Sequence, residues 1–348
     1  MNLRHLVPAL GILASTSGAL FAENVGGLTV GGFVDTIGTL SHTDDGNNTG
    51  ANVGAPVYKY FTSNVELRIG YKVGEEVTSQ VDLEWNNGTG SGRDVYLEQA
   101  YVNYAITPAF SLTTGKFTTY AGWVSADADG LYRINGGPIT AAYGGELVGV
   151  VGNFAPSEDL GVSVFLVNGL DVYTDASTND STNDHLGFAV DAVYKVQDVG
   201  TFNLEGGYDM VSSNESMFAL GANTTLKFAS YEPLTIGAEV IYNSNSVDNT
   251  NTDTTRLGAL GMANHTIPGA PFPMSATGML QFVKDSVEVG SISTDTNTAE
   301  SALALLTNPT GDSHFGVNAE LSYRIFSPNV GDDEKTFVAA LEMIAVIP

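Results

Sequence analysis

The stretch Lys59–Val73, KYFTSNVELRIGYKV, decides the fold of this chain. Apolar side chains occupy one phase of it, namely Phe61, Val65, Leu67, Ile69, Tyr71 and Val73, and polar ones the other, namely Thr62, Asn64, Glu66, Arg68 and Lys72. Successive side chains of a β-strand point to opposite faces, so this stretch predicts a strand with one apolar and one charged face. Such a strand suits the wall of a transmembrane barrel, with lipid outside and water inside.

The same alternation recurs along the chain. The other predicted strands are Leu28–Leu40, Val77–Trp85, Val95–Ala105, Phe110–Thr118, Glu146–Phe154, Leu160–Asn168, Leu186–Val196, Thr201–Met210, Met217–Phe228, Leu234–Asn243, Arg256–Ala263, Met274–Val283, Phe315–Ile325 and Phe337–Ala345. Through the first two thirds, long polar segments alternate with short turns, as extracellular loops and periplasmic turns do in outer-membrane barrels. We predict an all-β fold, a transmembrane antiparallel β-barrel of about 16 strands, with 14 or 18 as alternatives.

The strand count depends on the tail of the chain. Single-chain bacterial barrels have an even number of strands. A short strand at Val287–Ile292, paired back on Gln281–Lys284, would complete an even set. Thr298–Leu306 would then form a small periplasmic helix.

Composition narrows the function. The chain has 13 Lys and Arg against 39 Asp and Glu, a net charge of −26, and it has no cysteine. Such a charge repels phosphates, so we expect no nucleic-acid partner. Without disulfides, stability must come from strand pairing and barrel closure.

The first 22 residues have the pattern of a secretory signal peptide. Arg4 and His5 precede an apolar run, and Ala22 offers a small residue for cleavage before Glu23. The alternative is an N-terminal membrane anchor, but the run contains Pro8 and is short for a membrane span. We therefore expect residues 1–22 to be removed and residues 23–348 to form a single barrel domain.

Two short segments resemble a known family. Leu97–Tyr104 (LEQAYVNY) and Ser111–Phe117 (SLTTGKF), where Gly115-Lys116-Phe117 closes a strand before a long loop, are similar to the OmpL-like β-barrel porins. The resemblance implies a diffusion channel for small hydrophilic solutes and ions in the outer membrane of a Gram-negative-type bacterium, and an expected homotrimer. Proteins of this kind usually end in an aromatic residue, whereas this chain ends Ile344-Ala-Val-Ile-Pro348.

Charged residues of the inward phase are the candidate site, because the charges at the narrowest point of a pore govern its selectivity. The candidate pore-lining or constriction residues are Glu66, Arg68, Asp82, Glu84, Lys116, Asp127, Asp129, Arg133, Glu320 and Arg324. The inward acids and bases nearly balance, so we expect the excess negative charge in the loops and a weak preference for cations.

Residues 119–145 are the candidate constriction loop. The segment mixes apolar residues such as Tyr120 and Trp123 with Asp127, Asp129 and Arg133, and a freely solvated loop would not need the apolar ones. An inward-folded loop would set its aspartates opposite Lys116, Arg68 or Arg324. The alternatives are an ordinary surface loop or a hidden pair of strands.

Other functions find less support in the sequence. It contains no HExxH or GxSxG motif, and we predict no catalytic residues, no cofactor and no metal site. Asp127-Ala-Asp129-Gly130 begins like a calcium loop, but Pro138 occupies the twelfth position, where that loop needs glutamate. A surface structural or adhesive barrel without an open channel, or a substrate-specific channel such as one for sugars, is the alternative. A soluble secreted β-protein is disfavoured by the length of the strands.

Overall fold

The computed structural model describes residues 27–44, 57–86, 95–124, 130–170, 186–212, 215–228, 231, 233–308, 314–329 and 331–347. The predicted signal peptide, residues 1–22, lies outside these residues. No helix within the described ranges is of a length and hydropathy that would span a bilayer.

Sixteen antiparallel strands form one closed barrel. They are β1 Leu28–Asp44, β2 Val57–Val73, β3 Val77–Asn86, β4 Val95–Thr107, β5 Phe110–Phe117, β6 Leu147–Phe154, β7 Leu160–Val167, β8 Gly187–Val196, β9 Gly200–Ser212, β10 Glu215–Lys227, β11 Leu234–Val247, β12 Thr252–Thr266, β13 Met274–Val289, β14 Ile292–Thr307, β15 Phe315–Pro328 and β16 Glu334–Ile347. Each strand pairs with its sequence neighbours, and β1 closes on β16 with Thr39 opposite Ala340. The predicted fold class and strand number are confirmed.

The outer surface is apolar, as alternation requires. Phe61, Leu280 and Leu303 belong to the outward phase and are largely exposed, whereas Glu66 on the inward phase is buried. Exposed aromatic residues lie beside the short turns at one end of the barrel: Tyr71, Tyr104, Phe154, Tyr194 and Phe202. Aromatic girdles of this kind mark the interfaces of a barrel with a bilayer.

The tail differs from the prediction. Residues 298–306 belong to β14, not to a helix, and β14 pairs with β13 from Val289–Ile292 to Met274–Thr307. Val287 continues β13, and a two-residue turn at 290–291 follows it, so the predicted short strand at Val287–Ile292 is also wrong. Ala, Leu and Glu are good helix formers, but pairing on both edges of β14 outweighs that intrinsic preference.

The long connections are all in the first half of the chain. At the end of the barrel opposite the aromatic turns, residues 45–56, 87–94, 118–146 and 168–186 connect successive strand pairs. The later connections at the same end are short, such as 213–214 and 290–291, and the strands beside them are longer. In one long connection, residues 118–146, the described residues 118–124 and 130–146 pack inside the barrel, and we call this connection the inner loop.

Candidate functional site

The inner surface of the barrel is strongly acidic. Within the described ranges, twelve acidic residues are buried, namely Asp35, Glu66, Asp82, Glu84, Glu98, Asp191, Glu205, Asp209, Glu239, Glu300, Glu320 and Glu342. The one fully buried basic residue described is Arg133. The expected balance of inward charges is therefore wrong. The acids not foreseen are Asp35, Asp209, Glu300 and Glu342, which the strand register places on the inward phase, and Glu98, which a bulge in β4 turns inward.

One group of predicted site residues lines β2 and β3. On β2, the Arg68 guanidinium pairs with Glu66 and lies over the Phe33 ring, 5.7 Å from its centroid. On β3, Asp82 accepts hydrogen bonds from Gln80 and Gln99.

The remaining predicted residues on β3 and β5 are also paired. Glu84 on β3 accepts a hydrogen bond from the Tyr96 hydroxyl. Lys116 at the end of β5 pairs with Glu146. Glu66, Arg68, Asp82 and Glu84 face the barrel interior.

Lys116 does not face the interior, because it lies opposite the exposed Val148 on β6 while the next residue, Phe117, is buried inside. It therefore lies on the outward phase and not in the lumen, contrary to the prediction.

The inner loop starts from β5 and reaches across the barrel. The backbone N–H of Gly122 donates to Glu205 on β9, and the N–H of Trp123 donates to Glu239 on β11, each at 3.1 Å. The Trp123 indole donates to Thr225 on β10 at 2.6 Å. Buried carboxylates of the wall thus receive the otherwise unpaired backbone donors of the loop.

The far end of the loop is held by an ion-pair network on β14 and β15. Arg133 donates to Glu320 at 2.7 and 3.2 Å and to Glu300 at 2.5 Å. Glu320 also accepts the backbone N–H of Ile134 at 2.8 Å. Arg324 pairs with Glu300 from the other side at 2.6 Å. Because Arg133 and Glu320 are both buried, each charge is neutralised mainly by its ion-pair partners and not by water.

The returning half of the loop follows β13, β12 and β11. It contains a short 3-10 helix at Pro138–Ala142. At the start of this helix, the Gln281 side chain accepts the N–H of Ile139 at 3.1 Å and donates to the carbonyl of Gly136 at 2.8 Å. At its end, Asn243 donates to the carbonyl of Ala142 at 2.7 Å. On β12, the Arg256 guanidinium donates to the carbonyl of Ala141. The described parts of the loop are therefore bonded to seven consecutive strands, β9 to β15.

Apolar packing fixes the loop as well. Its buried Tyr120, Val124, Ile139 and Tyr143 belong to a cluster that includes inward-facing apolar residues of β6 to β13: Val151, Phe165, Val167, Ala189, Met217, Ala219, Ile241, Leu260, Met262, Met279 and Val283. Strand alternation predicts polar residues on the inward phase, so this apolar patch was not predicted. The sequence feature that indicates the patch is a stretch such as Leu257–Met262, in which the residues of both phases are apolar.

Two loop glycines occupy backbone conformations that other residues rarely adopt. Gly122 has φ of 111° and lies against the ring of Tyr143, and Gly137 has φ of 81° and lies against the side chain of Gln281. An added Cβ would come within 2.5 Å of the Tyr143 ring or 2.6 Å of the Gln281 amide. Glycine at these positions lets the loop lie flat on the wall.

Burial changes the acid–base behaviour of the loop. It raises the pKa of the Tyr143 hydroxyl well above its ordinary value, and the nearby Glu239 charge adds to this. Burial also raises the pKa of Tyr120, with further contributions from Glu205 and Asp209. Both tyrosines are therefore neutral hydroxyls wherever the loop lies against the wall.

Most of the predicted site residues thus fall into two groups. Glu66, Arg68, Asp82 and Glu84 lie together on β2 and β3, whereas Arg133, Glu320 and Arg324 meet where the loop reaches β14 and β15. Lys116, on the outward phase of β5, belongs to neither group. Asp127 and Asp129 lie outside the described residues.

Comparison with known proteins gives the family. The sequence profile of the family described as "Putative beta-barrel porin-2, OmpL-like" matches residues 27–345. No curated protein matches the chain.

Solved structures share the fold. The outer-membrane channel DcaP of Acinetobacter baumannii superposes with a TM-score of 0.63 at 11% identity, covering 94% of this chain and 99% of that one. The trimer form of OmpT of Vibrio cholerae gives 0.59 at 13%, covering 91% and 99%. An anion-selective porin from Comamonas acidovorans gives 0.59 at 11%, covering 92% and 99%.

At these identities the structures show the fold alone. The family and the fold together indicate an outer-membrane channel rather than an enzyme. The profile spans nearly all of the described chain, from its first strand to its last. The chain belongs to this OmpL-like family of β-barrel porins.

Proposed function

We propose that the protein is a passive diffusion pore for small hydrophilic solutes and ions, weakly selective for cations. The observation that carries this proposal is a closed barrel whose inner surface holds twelve buried acids and one buried base among the described residues. Fixed charges at a narrow point of a pore favour ions of opposite sign. This is the preference expected from the sequence, but its source is the lumen wall rather than the loops.

The inner loop is the constriction in this proposal. Its hydrogen bonds and ion pairs attach it to β9 through β15. The wall from β16 through β1 to β4 is left as the other side of the passage, and we call it the free wall. That wall carries Asp35, Glu66, Asp82, Glu84, Glu98 and Glu342. Among the described residues of this wall, Arg68 is the one inward-facing cation with an ion pair inside the wall. The attached side has its carboxylates largely occupied by the loop, so the free wall dominates selectivity.

Export and localisation follow the same proposal. Residues 1–22 direct secretion and are removed, and residues 23–348 insert as one barrel into the outer membrane of a Gram-negative-type bacterium. Small hydrophilic solutes, ions and outer-membrane lipid are then its partners. Mass spectrometry of the purified barrel would test the cleavage site, with Glu23 as the expected first residue.

We further propose that the barrel forms a homotrimer, as the OmpT trimer form with the same fold does. An apolar groove of about 870 Å³ runs along the outer face of β14, β15, β16, β1 and β2. Small residues at Gly38, Ala319 and Ala339 line it, and Phe61 beside it is 80% exposed. The groove and the projecting ring suit the same face of a second copy.

The trimer is tested by native mass spectrometry in detergent. Ala339→Trp fills the groove and should yield monomers, whereas Ala238→Trp, on the outward phase of β11, should leave the assembly unchanged. A monomeric wild-type barrel would contradict the proposed assembly.

Single-channel recording of the purified protein in a planar bilayer tests the diffusion pore. A salt gradient across the bilayer should give stable open steps and a reversal potential of the sign that cation preference requires. A folded, heat-modifiable barrel that never conducts would refute the pore and favour a surface structural or adhesive role. Steps that a sugar blocks at low concentration would instead favour a substrate-specific channel.

A further inference from the structure

Three buried carboxylates meet on the free wall of the lumen. Glu66 on β2, Asp82 on β3 and Glu98 on β4 each place a carboxylate oxygen within 4.8 Å of the other two. All three residues are buried, and Asp82 is 0% exposed. We propose that these side chains form a calcium-binding site in the wall of the barrel.

A β-bulge brings the third carboxylate into the group. Asp82 pairs with Gln99 and Leu83 pairs with Leu97, so Glu98 is an extra residue on β4 at a shift in the strand register. A bulge interrupts the alternation of faces. Consequently the side chains of Glu98 and Gln99 both point inward. Regular alternation would have turned Glu98 away from Glu66 and Asp82, whereas the bulge places it beside them.

Asp82 provides an independent sign of a cation. The side-chain amides of Gln80 and Gln99 both donate to the same atom, Oδ2 of Asp82, at 2.7 and 2.8 Å. Oδ1 of Asp82 is buried and receives no hydrogen bond from the protein. Burying a carboxylate oxygen without a hydrogen-bond donor costs free energy, and a bound cation offsets that cost.

The local charge calls for a divalent ion. Arg68 pairs with Glu66 and so compensates one of the three carboxylates. Lys116, on the neighbouring strand, is paired with Glu146. The three carboxylates still bring negative charge together in a buried place, and a divalent cation bound between them offsets their mutual repulsion.

Coordination chemistry favours calcium over magnesium. Mg²⁺ demands nearly ideal octahedral geometry and usually keeps several of its waters, whereas this site offers three carboxylates fixed on three neighbouring strands. Ca²⁺ accepts six to eight oxygen ligands in flexible arrangements, and carboxylates and lumen water can supply them.

The site goes beyond the proposed function, and its test does not need an open pore. Calcium binding to the wild-type barrel in detergent, freed of divalent ions by chelation, is measured by isothermal titration calorimetry. We expect about one ion per chain, with a dissociation constant on the order of 0.1–1 mM, as in extracellular calcium sites. Asp82→Asn and Glu98→Gln keep the side-chain shapes and should each weaken binding at least tenfold.

A matched control separates this site from general acidity. Asp191→Asn removes another buried inward acid, on β8, and should bind calcium as the wild type does. Heat-modifiability on gels checks that each variant is folded. Failure of the folded wild-type barrel to bind calcium would overturn the site, and so would binding that survives both Asp82→Asn and Glu98→Gln.

Discussion

Arg133 shows how a single residue can determine the path of a long connection. Its side chain and that of Glu320 are both almost fully buried, and the guanidinium contacts two carboxylates on adjacent strands. Removing one partner of a buried ion pair leaves an uncompensated charge, which is far more costly than losing an exposed pair. Arg133 therefore acts as the attachment of the loop tip to the wall.

The first prediction compares two arginines that share one carboxylate. Arg133→Met should lower the free energy of unfolding by about 3–5 kcal/mol, because Glu320 and Glu300 lose a buried counter-charge. Arg324→Met should cost no more than about 1 kcal/mol, since Arg324 is 45% exposed in its side chain. Urea unfolding of the barrel in lipid vesicles measures both. Equal losses in the two variants would contradict the attachment role.

At the scale of an element, the sequence indicated where the inner loop lies along the chain, but it did not indicate which wall residues hold the loop. Its apolar residues predicted inward packing, but its attachments are carboxylates and amides on strands far away in sequence, such as Glu205, Glu239 and Gln281. Only the barrel register brings these side chains to the loop. Strand alternation is a local property, whereas the choice of acids that receive the loop is not.

The same limit explains two other errors. Glu98 lies on the face that alternation excludes, because one inserted residue on β4 shifts the phase. In β14, alanines on the inward phase and leucines on the outward phase give no contrast in polarity, so residues 298–306 had the pattern of a helix. The sixteen-strand total was right, while the segment proposed for the additional strand was wrong.

The second prediction concerns backbone strain in the loop. Gly137→Ala must place a Cβ against Gln281 at a positive φ, which should cost about 1–3 kcal/mol and loosen the 3-10 helix. Gly145→Ala is the matched control in the same loop, because nothing lies within 4 Å of its added Cβ. Limited proteolysis should cut the loop of the first variant faster. Identical cleavage rates would show that the loop tolerates the shift.

The third prediction follows from the raised pKa of Tyr143. In a released loop its hydroxyl ionises near its ordinary value of 10.0, but against Glu239 its pKa is higher. Attachment is therefore complete below pH 10 and weakens as the pH rises from there toward the raised value. Trp123 emission in a Trp85→Phe background should report the release, since the chain has two tryptophans.

A control variant tests the cause of this release. Replacing both Tyr143 and Tyr120 by phenylalanine should make the emission independent of pH above 10, at the expense of a weaker attachment at neutral pH. An unchanged alkaline transition in that variant would assign the release to other groups.

At the scale of the whole molecule, the fold and the selectivity are separate properties. An anion-selective porin from Comamonas acidovorans has the same fold, so architecture does not set the sign of the preferred ion. In this chain the sign is proposed to come from the acids of the free wall, with Arg68 as their paired cation. Selectivity of this origin is electrostatic and must respond to salt.

The fourth prediction tests that origin. The Debye length falls from about 10 Å in 0.1 M salt to about 3 Å in 1 M, so fixed wall charges act across the passage only in dilute salt. The ratio of potassium to chloride permeability, read from reversal potentials, should exceed one at 0.1 M and approach one at 1 M. Replacing Glu66, Glu84 and Glu342 by glutamine should lower the ratio at 0.1 M and leave it nearly unchanged at 1 M. A ratio independent of salt would instead require a narrow filter in which ions contact the wall directly.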